Sequence, residues 1–118
     1  MLIKTLRAKL HRATVTSAEV EYVGSISIDR DLLDVTGIHA GECVLVGDLD
    51  NGSRFETYVI EAERGSGEIG VNGAAARLVS KGDRVIVMAF GYVTPDEAGQ
   101  LRPAVALVDQ DNRLERML

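Results

Sequence analysis

Two segments of this chain carry one pattern. Ala40-Gly41-Glu42-Cys43-Val44-Leu45-Val46 and Lys81-Gly82-Asp83-Arg84-Val85-Ile86-Val87 both read Gly, acid, any residue, then three aliphatics, and each follows a short helical candidate. Gly–acid turns before strands are common, so coincidence is one reading. The other is a pseudo-twofold small barrel whose halves interlock and leave no exposed sheet edge. Other signals are also those of a mainly β chain. Val/Ile-rich runs at 43–49, 55–62, 68–71, 84–93 and 104–108 are separated by turn residues. Asn51-Gly52 between two runs predicts a hairpin with a type I′ turn, which needs positive φ at both central positions. Helical signals are few and short. Asp29 is placed to cap a helix over 30–36 that Gly37 stops. Thr94 before Pro95 predicts a second, ending near Gly99, and Asn72 a third through Ala74-Ala75-Ala76-Arg77.

At 118 residues and 46% hydrophobic content, one domain with a modest core is expected over 1–118, with no linker or low-complexity break. Five aromatics and no Trp leave the interior to Val, Ile, Leu and Ala. A net charge of −5 with scattered cations argues against nucleic acid or an anionic membrane as partner. The lone Cys43 forms no intrachain disulfide, and its apolar surroundings predict a buried thiol. No apolar run reaches membrane-spanning length and the N-terminus lacks a signal-peptide pattern, so a cytoplasmic protein is expected. The charged tail 109–118 is expected to fray.

One dipeptide carries unusual chemistry. In Glu21-Tyr22-Val23-Gly24-Ser25-Ile26-Ser27-Ile28-Asp29, a serine hydroxyl follows a glycine carbonyl. Attack of that hydroxyl turns the amide into an ester, and elimination then leaves a dehydroalanine that hydrolyses to a pyruvoyl group. Glycine suits the first position because it tolerates strained dihedrals. The same pair also occurs as Gly52-Ser53 and Gly65-Ser66, where an ordinary turn suffices, so the dipeptide needs company.

That company is Lys9-Leu10-His11-Arg12, Asn51-Gly52-Ser53-Arg54-Phe55-Glu56-Thr57-Tyr58, Glu63-Arg64-Gly65-Ser66-Gly67 and Val71-Asn72-Gly73-Ala74-Ala75-Ala76. In this order and spacing, over about residues 1–108, they resemble the pyruvoyl-dependent aspartate 1-decarboxylases. The resemblance implies a double-psi β-barrel that cleaves itself between Gly24 and Ser25 into chains 1–24 and 25–118. It implies conversion of L-aspartate to β-alanine and CO2, for pantothenate synthesis, through a Schiff base with the pyruvoyl group made from Ser25. It also implies a homotetramer with active sites between subunits, and leaves open a maturation factor.

The reaction needs an electron sink, which no ordinary side chain supplies. A pyridoxal phosphate enzyme needs a Schiff-base lysine and a phosphate pocket in a much larger fold. This chain has three lysines and no cofactor domain. By resemblance, Thr57 hydrogen-bonds the Gly24 carbonyl during cleavage, though threonine is also an ordinary strand residue. Tyr58 resembles the proton donor, against the plain reading of a half-buried strand aromatic. Arg54, with its planar fork, and Lys9 would hold substrate carboxylate, against the usual reading of solvated surface charge. His11 lies two residues from Lys9 on the same face of an extended strand and would assist cleavage or line the pocket, or be structural. Asn72, Gly73, Ala74 and Ala75 resemble the substrate-binding turn, or form a plain helix cap. Thr57 and Tyr58 are adjacent and point to opposite faces unless a bulge intervenes.

Two departures from the family pattern, Arg77 and Gly47, fall at the pocket edge. His11, His39 and Cys43 offer only an i,i+4 pair across a glycine turn, so no metal site is expected. Two other classes compete: a swapped-hairpin DNA-binding barrel, which would need a basic face, and a self-cleaving hydrolase, which would need a Ser-His-acid set.

Overall fold

The computed structural model describes all 118 residues. Nine strands and three short helices follow in chain order. They are β1 (Ile3–Thr14), β2 (Ser17–Glu19), β3 (Ser25–Asp29), α1 (Arg30–Thr36), β4 (Cys43–Asp48), β5 (Arg54–Ala62), β6 (Ile69–Asn72), a 3-10 helix (Gly73–Leu78), β7 (Arg84–Val93), α2 (Pro95–Gln100), β8 (Ala104–Val108) and β9 (Leu114–Met117). The sheet order is β2-β6-β3-β5-β4-β7-β1-β8-β9.

That order closes on itself. β1 and β2 are separated only by Val15 and Thr16, and these two residues remain hydrogen-bonded: Val15 to Asp83 and Gly82, Thr16 to Ile69. One extended segment therefore pairs with β7 at its start and with β6 at its end, completing a barrel with β8 and β9 added outside.

The repeat is a real symmetry. β4 and β7 pair antiparallel with Val46 opposite Val87, the two residues that the repeat equates. β3 and β6 likewise pair with each other. The first strand of each half lies parallel to the second strand of the other, β5 along β3 and β2 along β6. The two halves are thus interlocked as expected. Inward rows such as Leu10–Val87–Val46–Phe55 fill the centre, and the core is aliphatic: Leu10, Ile26, Ile28, Val59, Ile69, Val71 and their neighbours are buried.

Both predicted α-helices form. Asp29 Oδ1 accepts the Asp31 N–H, and Gly37 closes α1 at φ 74°. Thr94 and Glu97 form a reciprocal capping box. Four expectations fail. Asn51 is not at positive φ, so the hairpin is not type I′; only Gly52 is left-handed, in a wider loop closed by Gly52 N–H to Asp48 O (2.9 Å). Asn72 stands before the 3-10 helix but makes no capping bond. Cys43 is exposed, because the inward phase of β4 falls on Val44 and Val46; its Sγ lies 3.7 Å from Glu56. The tail does not fray: β9 pairs with β8, and Asn112, left-handed and 1% exposed, binds both Thr14 backbone groups and the Gly67 carbonyl.

No helix is long and apolar enough to cross a membrane.

Candidate active site

Ser25 opens β3 directly after an irregular turn, and the burial changes abruptly there. Glu21 through Gly24 are exposed, whereas Ser25 is 1% exposed. Its Oγ donates to the Val23 carbonyl (3.1 Å) and accepts from Asn72 Nδ2 (3.0 Å). Asn72 is its direct partner across the antiparallel β3–β6 ladder, which explains the contact. The same amide donates to Ser27 Oγ at 3.2 Å. Ser27 joins the candidate site through this bond and was passed over in the sequence; its only signal was its place two residues after Ser25, on the same strand face.

Gly24 does not need to be glycine for the reason expected. It is outside the left-handed region, and an added Cβ would meet nothing within 4 Å. The steric demand lies instead at Gly73. There φ is 78°, and an added Cβ would stand 2.6 Å from Gly24 Cα and 3.0 Å from Gly24 N. The start of the 3-10 helix is therefore packed directly on the Gly24-Ser25 segment. Of its other residues, Ala75 is half-buried and Ala74 exposed.

An open cleft of about 500 Å³ lies beside this centre, lined by Tyr22, Ser27 and Asn72 together with Thr16, Glu19 and Glu68. It holds two carboxylates and no cation.

β5 brings a second group. Val59 is the parallel partner of Ile26, so Tyr58 lies one register step away, alongside Ser25. The β4–β5 ladder runs unbroken through Tyr58, Thr57 and Arg54. With no bulge, Thr57 and Tyr58 do face opposite ways: Thr57 is half-buried and paired with Val44, and Tyr58 is exposed.

The third group lies on β1. Lys9 and His11 share a face, because Ala8 and Leu10 between them are buried. Lateral pairing links Lys9 to Met88, Met88 to Leu45 and Leu45 to Glu56. Lys9, His11, Arg54 and Tyr58 thus share the outer surface of the barrel with half-buried Leu45, Ile86 and Met88. Yet β7, β4 and β5 separate β1 from β3 in the sheet, and none of Lys9, His11, Arg54, Thr57 or Tyr58 hydrogen-bonds Ser25 within the chain. His11 Nδ1 is buried without a partner. Burial, then the Lys9 and Arg12 cations, push its pKa down and favour the neutral ring.

Residues 1–115 match the sequence profile of the family described as Aspartate decarboxylase. The chain belongs to that family. Relatives named aspartate 1-decarboxylase support the assignment along nearly the whole length. The protein from Phenylobacterium zucineum is 55% identical over 116 residues, 98% of each chain. That from Caulobacter vibrioides is 55% identical with the same coverage. That from Clostridium botulinum (strain 657) is 51% identical over 117 residues, 99% of this chain and 92% of its own. Among solved structures, the rationally designed protein mkDPBB_sym_86, a double-psi β-barrel by its name, superposes with a TM-score of 0.51 at 25% identity, covering 67% of this chain and 92% of that one. The expected barrel class therefore stands. Family membership also sets aside the DNA-binding barrel and the hydrolase.

Proposed function

We propose that this chain is an aspartate 1-decarboxylase, making β-alanine and CO2 from L-aspartate with a pyruvoyl group generated from its own Ser25, for cytoplasmic pantothenate synthesis. The observation that carries the proposal is the centre at Ser25: a buried hydroxyl held by Asn72, next to a glycine on which Gly73 is closely packed.

Self-cleavage follows from the chain's own atoms. Ser25 Oγ attacks the Gly24 carbonyl carbon as the Ser25 nitrogen departs, so the amide becomes an ester. Loss of the Ser25 α-proton and of the Gly24 carboxylate then leaves dehydroalanine at position 25. Water releases its nitrogen as ammonia, leaving a ketone at the new end of chain 25–118. Thr57 is proposed to stabilise the oxyanion, with neutral His11 assisting as a proton acceptor.

The residues present fit the group. A buried pocket edge with an amide donor and a second hydroxyl, Ser27, surrounds the position the ketone would occupy. The pyruvoyl group supplies the electron sink for loss of CO2. Arg54 and Lys9 hold the carboxylate that survives, Asn72, Gly73, Ala74 and Ala75 shape the substrate turn, and Tyr58 delivers a proton to the product carbon. The cleft beside Ser25 lacks a cation, while Arg54 and Lys9 lie on an outer face with half-buried apolar residues. Both facts favour a homotetramer in which neighbouring subunits complete each site.

Denaturing mass spectrometry tests the proposal. Active protein should consist of chain 1–24 and a 25–118 chain with a blocked N-terminus, and Ser25→Ala should remain one inactive chain. An intact chain with full decarboxylase activity would overturn it. Roles separate in kinetics: Arg54→Lys should chiefly raise KM for aspartate, whereas Tyr58→Phe should lower kcat by roughly 10²–10⁴.

A further inference from the structure

A second group of ionisable residues lies away from Ser25, where the β4–β5 hairpin meets the turn before β7. Asp48 ends β4, Asp50 sits in the hairpin loop and Asp83 precedes β7. One carboxylate oxygen from each falls within 4.8 Å of the others.

The backbone consumes only part of their capacity. Asp48 Oδ1 accepts the Asp50 and Asn51 N–H groups (2.8 and 3.1 Å), Asp83 Oδ2 accepts the Ser80 N–H (2.9 Å), and Asp50 Oδ2 accepts the Arg84 N–H (2.7 Å). A second oxygen remains on each residue. The one on Asp48 is decisive: the residue is 3% exposed, and Oδ2 is buried and accepts no N–H or hydroxyl donor, with only the Asp83 carboxyl beside it. The one ion pair the cluster makes is with Arg84, whose guanidinium lies 3.9 Å from Asp50 Oδ1, on the exposed side. A buried carboxylate oxygen without a donor, beside two further carboxylates, requires a positive charge to balance it.

We propose that Asp48, Asp50 and Asp83 form a binding site for a hard divalent cation of the Ca²⁺, Mn²⁺ or Mg²⁺ class. The donor set decides the class. It is all oxygen, with no thiolate or imidazole, which disfavours Zn²⁺ and Cu²⁺. The exposed loop leaves room for water to complete the coordination. The cation would tie the loop to the β7 turn, already joined by the Leu49 N–H to the Arg84 carbonyl (2.8 Å). Arg54 begins β5 just beyond that loop, so the ion would hold the base of Arg54 and take no part in bond making. Sequence inspection missed the site because it sought histidine and cysteine spacing, whereas these carboxylates come from two distant turns.

A proton shared between Asp48 and Asp83 is the competing source of charge balance. Burial, then the Asp83 carboxyl, raises the Asp48 pKa, which suits either one. The mature assembly, stripped by chelator and dialysed into metal-free buffer near pH 7.5, separates them. Calorimetric titration with CaCl₂, MnCl₂ and MgCl₂ in turn should give one site per chain, and the saturating ion should raise the melting temperature. Asp83→Asn should weaken binding by roughly tenfold or more. If Asp48→Asn does not fold, Asp50→Ala, at an exposed position, should weaken binding comparably. No heat and no melting shift with any of the three salts up to about 5 mM would overturn the site in favour of the shared proton. So would binding that is unchanged in both Asp50→Ala and Asp83→Asn.

Discussion

Asp29 and Asn72 occupy equivalent places in the two halves of the barrel. Each ends the strand that runs into its half's helix, and those strands, β3 and β6, pair with each other. Asp29 does what that place asks. It caps α1 and also accepts the N–H groups of Gly65 (3.0 Å) and Gly67 (2.8 Å), with Arg113 3.6 Å away. Asn72 leaves its helix uncapped and turns its amide to Ser25 and Ser27. The half with the cap has a regular α-helix; the half without it has a 3-10 helix. Symmetry supplied two similar positions, and the proposed reactive centre sits where one gave up its structural bond.

The contrast breaks most severely at Gly73, which follows Asn72 directly. Gly73→Ala forces a methyl into the Gly24 backbone at a left-handed position, and should cost about 2–4 kcal/mol while abolishing cleavage. Urea unfolding and gel analysis of the fresh protein would measure both. Asn72→Ala should slow cleavage by roughly 10²-fold with only a small loss of stability. Were Asn72 merely a cap, stability would fall by about 1 kcal/mol with cleavage unaffected. Asp29→Ala should show the reverse balance, a loss of about 2–4 kcal/mol with cleavage intact in the folded fraction.

A pH series sharpens the comparison. Burial opposes the charged form of Asp29, but the Gly67, Asp31 and Gly65 N–H groups and Arg113 outweigh it, so its pKa is lowered. Its contribution is therefore present above the unfolded carboxyl's value, near 3.9, and disappears as pH falls through the lower folded value. Asp29→Asn should be less stable at neutral pH and lose less on acidification, as read from urea midpoints. The smallest effect is expected at Ser27. Ser27→Ala frees the Asn72 amide for Ser25 alone and should change the cleavage rate only a few-fold.

Local chemistry was legible in the sequence. The helix caps at Asp29 and Thr94 and the bounds of β7 and β8 follow from nearby residues, and the repeat foretold the Val46–Val87 pairing. The longest strand, β1, was not among the apolar runs. Its alternation of aliphatic and basic residues is weak as a signal, and it is extended because β7 and β8 flank it. Asn112 looked like part of a charged tail, and nothing nearby in sequence reveals that it fastens Thr14 to Gly67. In the candidate site, the family motifs marked Ser25 and Asn72, but their direct contact depended on the β3–β6 register. Ser27 entered through the same register.

The continuity of β1 and β2 bears on the order of events in maturation. Both strands lie ahead of Ser25, so the proposed scission at Gly24 would put staves of the barrel on a separate, short molecule. Before scission, folding is an intramolecular search. Afterwards it would be an encounter between two solutes, so regain of the protomer fold from denaturant should slow on dilution in the cleaved protein and not in an uncleaved Ser25→Ala chain. Denaturation would then let the short piece diffuse away, and the proposed ketone on the long one could not be turned back into a peptide bond. On the proposed maturation, folding would have to precede the cut, and the cut would make the fold a history the chain could go through only once.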